Sequence, residues 1–89
     1  MPLVRFTQNI QRHIACPPRE VAGTSLRVVL EAYFAGNMAV RSYVLDDQGA
    51  LRKHMAIFID GEPVLDRKDL ADPVPPAGTV DIVQALSGG

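Results

Sequence analysis

Apolar and polar residues alternate in the first part of the chain. Residues 3–7 and 10–16 both show the two-residue period of a half-buried strand. Gln8 and Asn9 between them are typical of a turn, so the pattern predicts a hairpin of two strands. The prolines at 17–18 lack backbone donors and are predicted to end the second strand.

One segment instead has the longer period of an amphipathic helix. Its apolar residues recur at i, i+3, i+4, i+7 and i+8, and they are Leu26, Val29, Leu30, Tyr33 and Phe34. Thr24 or Ser25 is the predicted N-cap. The helix is predicted to end near Gly36 and Asn37, because both residues tolerate the left-handed conformation that is common at helix C-termini.

The C-terminal half predicts further strands. Residues 41–45 and 53–59 are rich in residues that favour strands, and a turn at Asp60 and Gly61 ends the second of them. Residues 66–72 predict one short helical turn.

The last predicted strand covers residues 79–86, where Val80 and Ile82 share one face. The resulting order is strand, strand, helix, strand, strand, short turn, strand. This order predicts an α+β domain in which a mixed sheet of about five strands packs on one main helix. The β-grasp fold has this order, and in it the final strand lies centrally beside the first.

Composition narrows the possible functions. The chain has 89 residues, enough for one domain, and 47% of them are hydrophobic. The formal net charge is −1 with scattered basic residues, so we expect no nucleic-acid partner. The single cysteine and the lack of a long apolar run predict a cytoplasmic protein without a membrane anchor.

Candidate catalytic and metal-binding residues are few. His13 and Cys16 are three residues apart, which would place them on opposite faces of the predicted strand, and Cys16 is interpreted as a small buried residue. His54 has no partner at metal-ligand spacing, so no metal is assigned.

The end of the chain is the most specific feature. The sequence after Gln84 reads Ala85, Leu86, Ser87, Gly88 and Gly89. We predict a domain over residues 1–84 and a flexible tail over residues 85–89. Without side chains, the two glycines can pass through a narrow cleft and adopt backbone angles that other residues avoid.

This ending, together with three other segments, resembles the ThiS/MoaD family of sulfur carriers, which are relatives of ubiquitin. The other segments are Val4-Arg5-Phe6, the helix over residues 26–35, and Ala56-Ile57-Phe58-Ile59-Asp60-Gly61-Glu62. The resemblance implies that an E1-like enzyme adenylates the carboxylate of Gly89 with ATP, with Gly88 beside it. A sulfur donor then forms a thiocarboxylate, and a sulfur-accepting biosynthetic enzyme consumes it.

In that scheme the chain is a carrier and not an enzyme. It binds no cofactor itself, because ATP and any metal are held by the activating enzyme. The sequence accordingly contains no P-loop.

Three other functions remain open. A small subunit of molybdopterin synthase would have the same fold, but proline is usual in that subfamily just before the last residues, where this chain has residues 84–87. A protein modifier would join Gly89 to a lysine. A plain binding module would leave the tail unused.

A docking patch for the activating enzyme is predicted on the sheet. If the helix covers one face, Phe58 and Val83 point to the other face. We expect these two residues, with Leu3 and Arg5, to bind the partner, and we expect Ala85, Leu86 and Ser87 to contact it as well.

Overall fold

In a computed structural model that describes residues 1–84, five strands form one sheet, and an amphipathic helix packs against one face of that sheet. The elements in this range are β1 (Leu3–Phe6), α1 (Gln8–Gln11), β2 (Arg19–Glu20), α2 (Leu26–Ala35), α3 (Met38–Val44), β3 (Met55–Ile59), β4 (Glu62–Pro63) and β5 (Thr79–Gln84). The strand order is β2-β1-β5-β3-β4. Strand β5 is central, parallel to β1 and antiparallel to β3, which confirms the predicted α+β β-grasp arrangement.

The core lies between the sheet and α2. The buried side chains of β1, β3 and β5 are Val4, Phe6, Met55, Ile57, Val80 and Ile82. They form one cluster with the apolar stripe of α2, and the ring centroids of Phe6 and Tyr33 are 5.1 Å apart. Because successive strand residues face opposite sides, the intervening side chains of these strands lie on the uncovered face of the sheet.

Helix α2 matches its prediction over residues 26–35. Ser25 is its N-cap, and the Ser25 hydroxyl accepts a hydrogen bond from the Val28 N–H at 3.4 Å. The predicted end of the helix near Gly36 is confirmed, although Gly36 itself is not left-handed, with a φ of −94°. The chain instead tightens after the helix, with the Gly36 N–H donating to the Tyr33 carbonyl at 3.1 Å.

The predicted second strand at residues 10–16 is wrong. Part of that segment belongs to α1, and the strand that pairs with β1 is β2, which follows the prolines. Ile10 lies in α1, and its side chain is fully buried in the core. A single buried residue satisfies either the strand or the helix period, so the short alternation was ambiguous.

The predicted strand at residues 41–45 is also wrong, because this segment belongs mainly to helix α3. Val40 and Val44 are four residues apart and both are fully buried, as on one face of a helix. Arg41 on α3 donates two hydrogen bonds of 2.9 Å to the Glu31 carboxylate on α2. Arg41 thereby lowers the pKa of Glu31, and the ion pair joins the two helices.

The turn at Asp60 and Gly61 is confirmed. Both residues have positive φ, 50° and 85°, as the tightest hairpin turns require. The turn leads into β4, a short edge strand that the sequence pattern did not predict. At residues 66–72, the Leu70 N–H donates to the Asp66 carbonyl at 3.1 Å, consistent with the predicted single turn.

Within residues 1–84, no helix is long and apolar enough to cross a membrane.

Candidate functional site

The structure places two of the predicted site residues on the uncovered face of the sheet. Phe58 lies on β3 and Val83 on β5, and both are half-buried. Leu3 and Arg5, which were predicted to join them, lie on β1. Five further predicted site residues lie outside the described residues, and they are Ala85, Leu86, Ser87, Gly88 and Gly89.

Strand pairing brings the exposed-face residues together. Arg5 on β1 and Phe58 on β3 are both register partners of Asp81 on the central strand β5. With Thr7 and Val83, these residues line an open groove of about 470 Å³. We call these five residues the sheet-face patch. Leu3, which was expected to join them, does not line the groove.

The only charged side chains of the sheet-face patch neutralise each other. The Arg5 Nε donates to Asp81 Oδ1 at 2.8 Å, and the second guanidinium nitrogen donates to Oδ2 at 3.1 Å. The hydrogen bond and charge of Asp81 raise the pKa of Arg5. The patch therefore has no net charge, and its apolar surface comes chiefly from Phe58 and Val83, which suits contact with another protein.

The end of β5 is surrounded by residues that the sequence reading did not assign to the site. Gln84 is the last described residue, and its Oε1 accepts a hydrogen bond from the Tyr43 hydroxyl of α3 at 3.3 Å. The ring of His13, just after α1, stacks on Tyr43 with centroids 6.5 Å apart. Both residues fall in segments that were predicted as strands. The i, i+4 spacing of Val40 and Val44 was the one signal that could have placed Tyr43 correctly.

Cys16 is not arranged for catalysis. Its side chain is buried, and its thiol lies 3.4 Å from the Ile14 carbonyl oxygen. Burial raises the pKa of Cys16, which keeps the thiol protonated and poorly nucleophilic. The interpretation of Cys16 as a buried packing residue is confirmed.

Residues 1–84 thus present an open groove on the uncovered face of the sheet, partly formed by the central strand β5. No group of three or more His, Cys, Asp or Glu residues in this range could hold a metal ion.

The parallel pairing of the first and last strands, the central position of β5 and the packing of the main helix α2 on one face define the ubiquitin-like β-grasp fold. Three solved structures share it over nearly their whole length. A chain in the crystal structure of the Amycolatopsis orientalis BexX/CysO complex has a TM-score of 0.83 at 16% identity, with both chains fully covered.

The other two structures are CysO from Mycobacterium tuberculosis and small archaeal modifier protein 1 from Haloferax volcanii. CysO has a TM-score of 0.81 at 19% identity, covering 97% of this chain and 100% of that one. The archaeal protein has a TM-score of 0.76 at 18% identity, covering 99% and 98%. No protein-family profile and no curated protein matches the sequence. At these identities the structural similarity confirms the predicted resemblance at the level of the fold.

Proposed function

We propose that this protein is a sulfur carrier whose reactive group is the carboxylate of Gly89. The observation that carries the proposal is the combination of a β-grasp fold with Gly88 and Gly89, which follow the central strand β5 after three intervening residues. An E1-like enzyme activates the carboxylate with ATP. A sulfur donor converts it to a thiocarboxylate, which a biosynthetic enzyme uses to place sulfur in a small molecule.

The chemistry explains why a partner enzyme is needed. A terminal carboxylate has a pKa of about 3.5, so it is ionised at neutral pH and is a poor electrophile. Attack of the carboxylate on ATP forms an acyl adenylate and releases pyrophosphate. Sulfide then attacks the acyl carbon, AMP leaves with the bonding electrons, and the product is the thiocarboxylate. The chain is therefore a co-substrate, and its partner supplies the nucleotide site and any metal. We propose that the reaction takes place in the cytoplasm.

The sheet-face patch is proposed as the docking surface for the E1-like enzyme. It lies partly on β5, the same strand that leads to the reactive end. Gly89 is six residues after Val83, so its carboxylate can lie at most about 20 Å from the patch. A partner that binds Phe58 and Val83 therefore holds the carboxylate within reach of one active site, with Ala85, Leu86 and Ser87 contacting its cleft.

Protein modification is the second candidate function. It is favoured by the structural similarity to small archaeal modifier protein 1. In this alternative the activated carbonyl of Gly89 is attacked by a lysine amine and forms an isopeptide bond. Both functions use the same adenylated intermediate.

Intact mass spectrometry separates these functions. The full chain is incubated with ATP, a sulfide donor and each E1-like adenylating enzyme from the same organism. We expect a gain of about 16 Da, because one sulfur replaces one oxygen. Omitting ATP is the control and should leave the mass unchanged. If cell extract is added, conjugates of higher mass indicate modification, and an unchanged mass with every enzyme contradicts both functions.

A further inference from the structure

The sheet-face patch contains hydrogen-bond donors that the domain itself leaves without partners. A guanidinium group has five N–H bonds, and Arg5 uses two of them to bind Asp81. The other three have no hydrogen-bond acceptor among residues 1–84. The Arg5 side chain is 51% exposed, so water binds these N–H groups in the free chain.

The hydroxyl of Thr7 is a second donor without a partner. Thr7 is the N-cap of α1, but its side chain makes no capping hydrogen bond. The hydroxyl oxygen is the one buried side-chain nitrogen or oxygen within residues 1–84 that lacks a hydrogen-bond partner, although buried polar atoms almost always have one. Thr7 as a whole is half-buried and lines the groove, so another χ1 rotamer can bring its hydroxyl to the groove.

A partner that covers the groove removes water from these donors. A buried donor without an acceptor costs free energy, and the cost is larger when the donor is charged. Phe58 and Val83 offer apolar contact, but a wholly apolar partner surface would leave the donors of Arg5 and Thr7 unpaired. The patch therefore favours a partner that carries acceptors at these two positions and disfavours one that does not.

The charges of the patch indicate which kind of acceptor fits. Asp81 holds the Arg5 guanidinium with two hydrogen bonds and cancels its charge. A carboxylate of the partner that approached Arg5 would also approach Asp81, and like charges repel at a binding surface. A carbonyl oxygen meets no such repulsion. The matching acceptor is therefore uncharged.

We propose that Arg5 and Thr7 are specificity-determining residues that donate hydrogen bonds to carbonyl oxygens on the docking surface of the E1-like enzyme. The inference rests on the proposed function, which supplies this partner. It adds a chemical requirement to the partner: its surface is apolar opposite Phe58 and Val83 and carries uncharged acceptors opposite Arg5 and Thr7.

The main test is the double variant Arg5→Met/Asp81→Leu, which keeps the patch neutral and removes the donors of Arg5. We expect KM for the carrier in E1-catalysed ATP–pyrophosphate exchange to rise about tenfold, the factor for one hydrogen bond to a charged group, with kcat unchanged. If apolar contact alone held the partner, KM should fall, because the variant adds apolar area. An unchanged or lower KM in the folded variant would overturn the role of Arg5.

Thr7→Val tests the second donor, because it removes the hydroxyl and keeps the shape of the side chain. We expect the urea midpoint to rise, since a buried group without a partner is removed. We expect KM to rise as well, about fivefold, the factor for one neutral hydrogen bond. A higher urea midpoint with a wild-type KM would contradict the role of Thr7.

The matched control is Arg41→Met/Glu31→Leu. It makes the same replacement at the ion pair between α2 and α3, whose two hydrogen bonds are 2.9 Å long. Because α2 covers the opposite face of the sheet, this control should leave KM unchanged. The increase in KM of Arg5→Met/Asp81→Leu over the wild type should be the same at low and high salt. An increase that shrinks with salt would show a charged partner group and contradict the uncharged acceptor.

The wild-type chain separates failure of this inference from failure of the proposed function. If no E1-like enzyme activates the wild type, the proposed function is wrong and the inference falls with it. If the wild type is activated and the patch variants keep its KM, the inference alone is wrong.

Discussion

Deletion of Gly89 is expected to abolish adenylation without lowering the stability of the domain. The deletion moves the terminal carboxylate back by about 3.4 Å. Misplacement of a reacting group by about 1 Å can reduce a rate about a hundredfold, so a full residue should remove detectable activity. The buried core described by the structure extends only from Val4 to Ile82. The unfolding midpoint should therefore remain that of the wild type.

ATP–pyrophosphate exchange measures the loss of activation, and thermal melting measures stability. The matched variants are Gly88→Ala and Gly89→Ala, which keep the chain length and add one methyl group. We expect them to retain part of the activity, because the carboxylate stays in reach while the added Cβ narrows the fit in the partner's cleft. Full activity of the deletion variant would show that the reactive group is not the carboxylate of Gly89.

Substitution Phe58→Asp is expected to raise KM for the carrier in adenylation by more than tenfold. An aromatic side chain that becomes buried in an interface contributes a large apolar area. The loss of about 60 Å² of that contact already weakens the affinity for the partner about tenfold. The new carboxylate also faces Asp81, its register partner on β5, and adds a charge to a patch that the Arg5–Asp81 pair leaves neutral. At saturating carrier, kcat should stay near the wild-type value.

Two further variants show whether the loss arises at the sheet-face patch. Phe58→Thr removes the ring but keeps a residue that favours strands, so it should raise KM less than Phe58→Asp. Leu65→Asp changes an apolar side chain that is 90% exposed and does not line the groove, so it should leave KM unchanged. Urea unfolding checks that each variant is folded. An unchanged KM in a folded Phe58→Asp protein would contradict the docking surface.

Long periodic segments could be predicted without coordinates. Helix α2 presents five apolar residues at helical spacing, and all five are buried. In β3 and β5 the alternation placed Ile57 and Ile82 in the core and Phe58 and Val83 on the opposite face. Once one face of the sheet is covered, a two-residue period leaves no other arrangement, so the sequence was enough to place Phe58 and Val83 on the uncovered face.

Short segments could not be predicted in the same way. The four residues of α1 and the two residues of β2 are too few to establish a period. Helix α3 has β-branched residues that favour a strand locally, but the burial of Val40 and Val44 and the ion pair with Glu31 stabilise a helix. Tertiary contacts therefore overrode local propensity in these elements.

By itself, the sequence determined the main helix, the three long strands and the residues of each long strand that share a face, and it contains the Gly88-Gly89 pair on which the proposed chemistry depends. Only the tertiary structure decided the pairing of Arg5 with Asp81 and the meeting of His13, Tyr43 and Gln84. The reason is physical: periodicity records which side of an element is buried, whereas contacts between residues some 30 to 76 positions apart depend on how the elements pack.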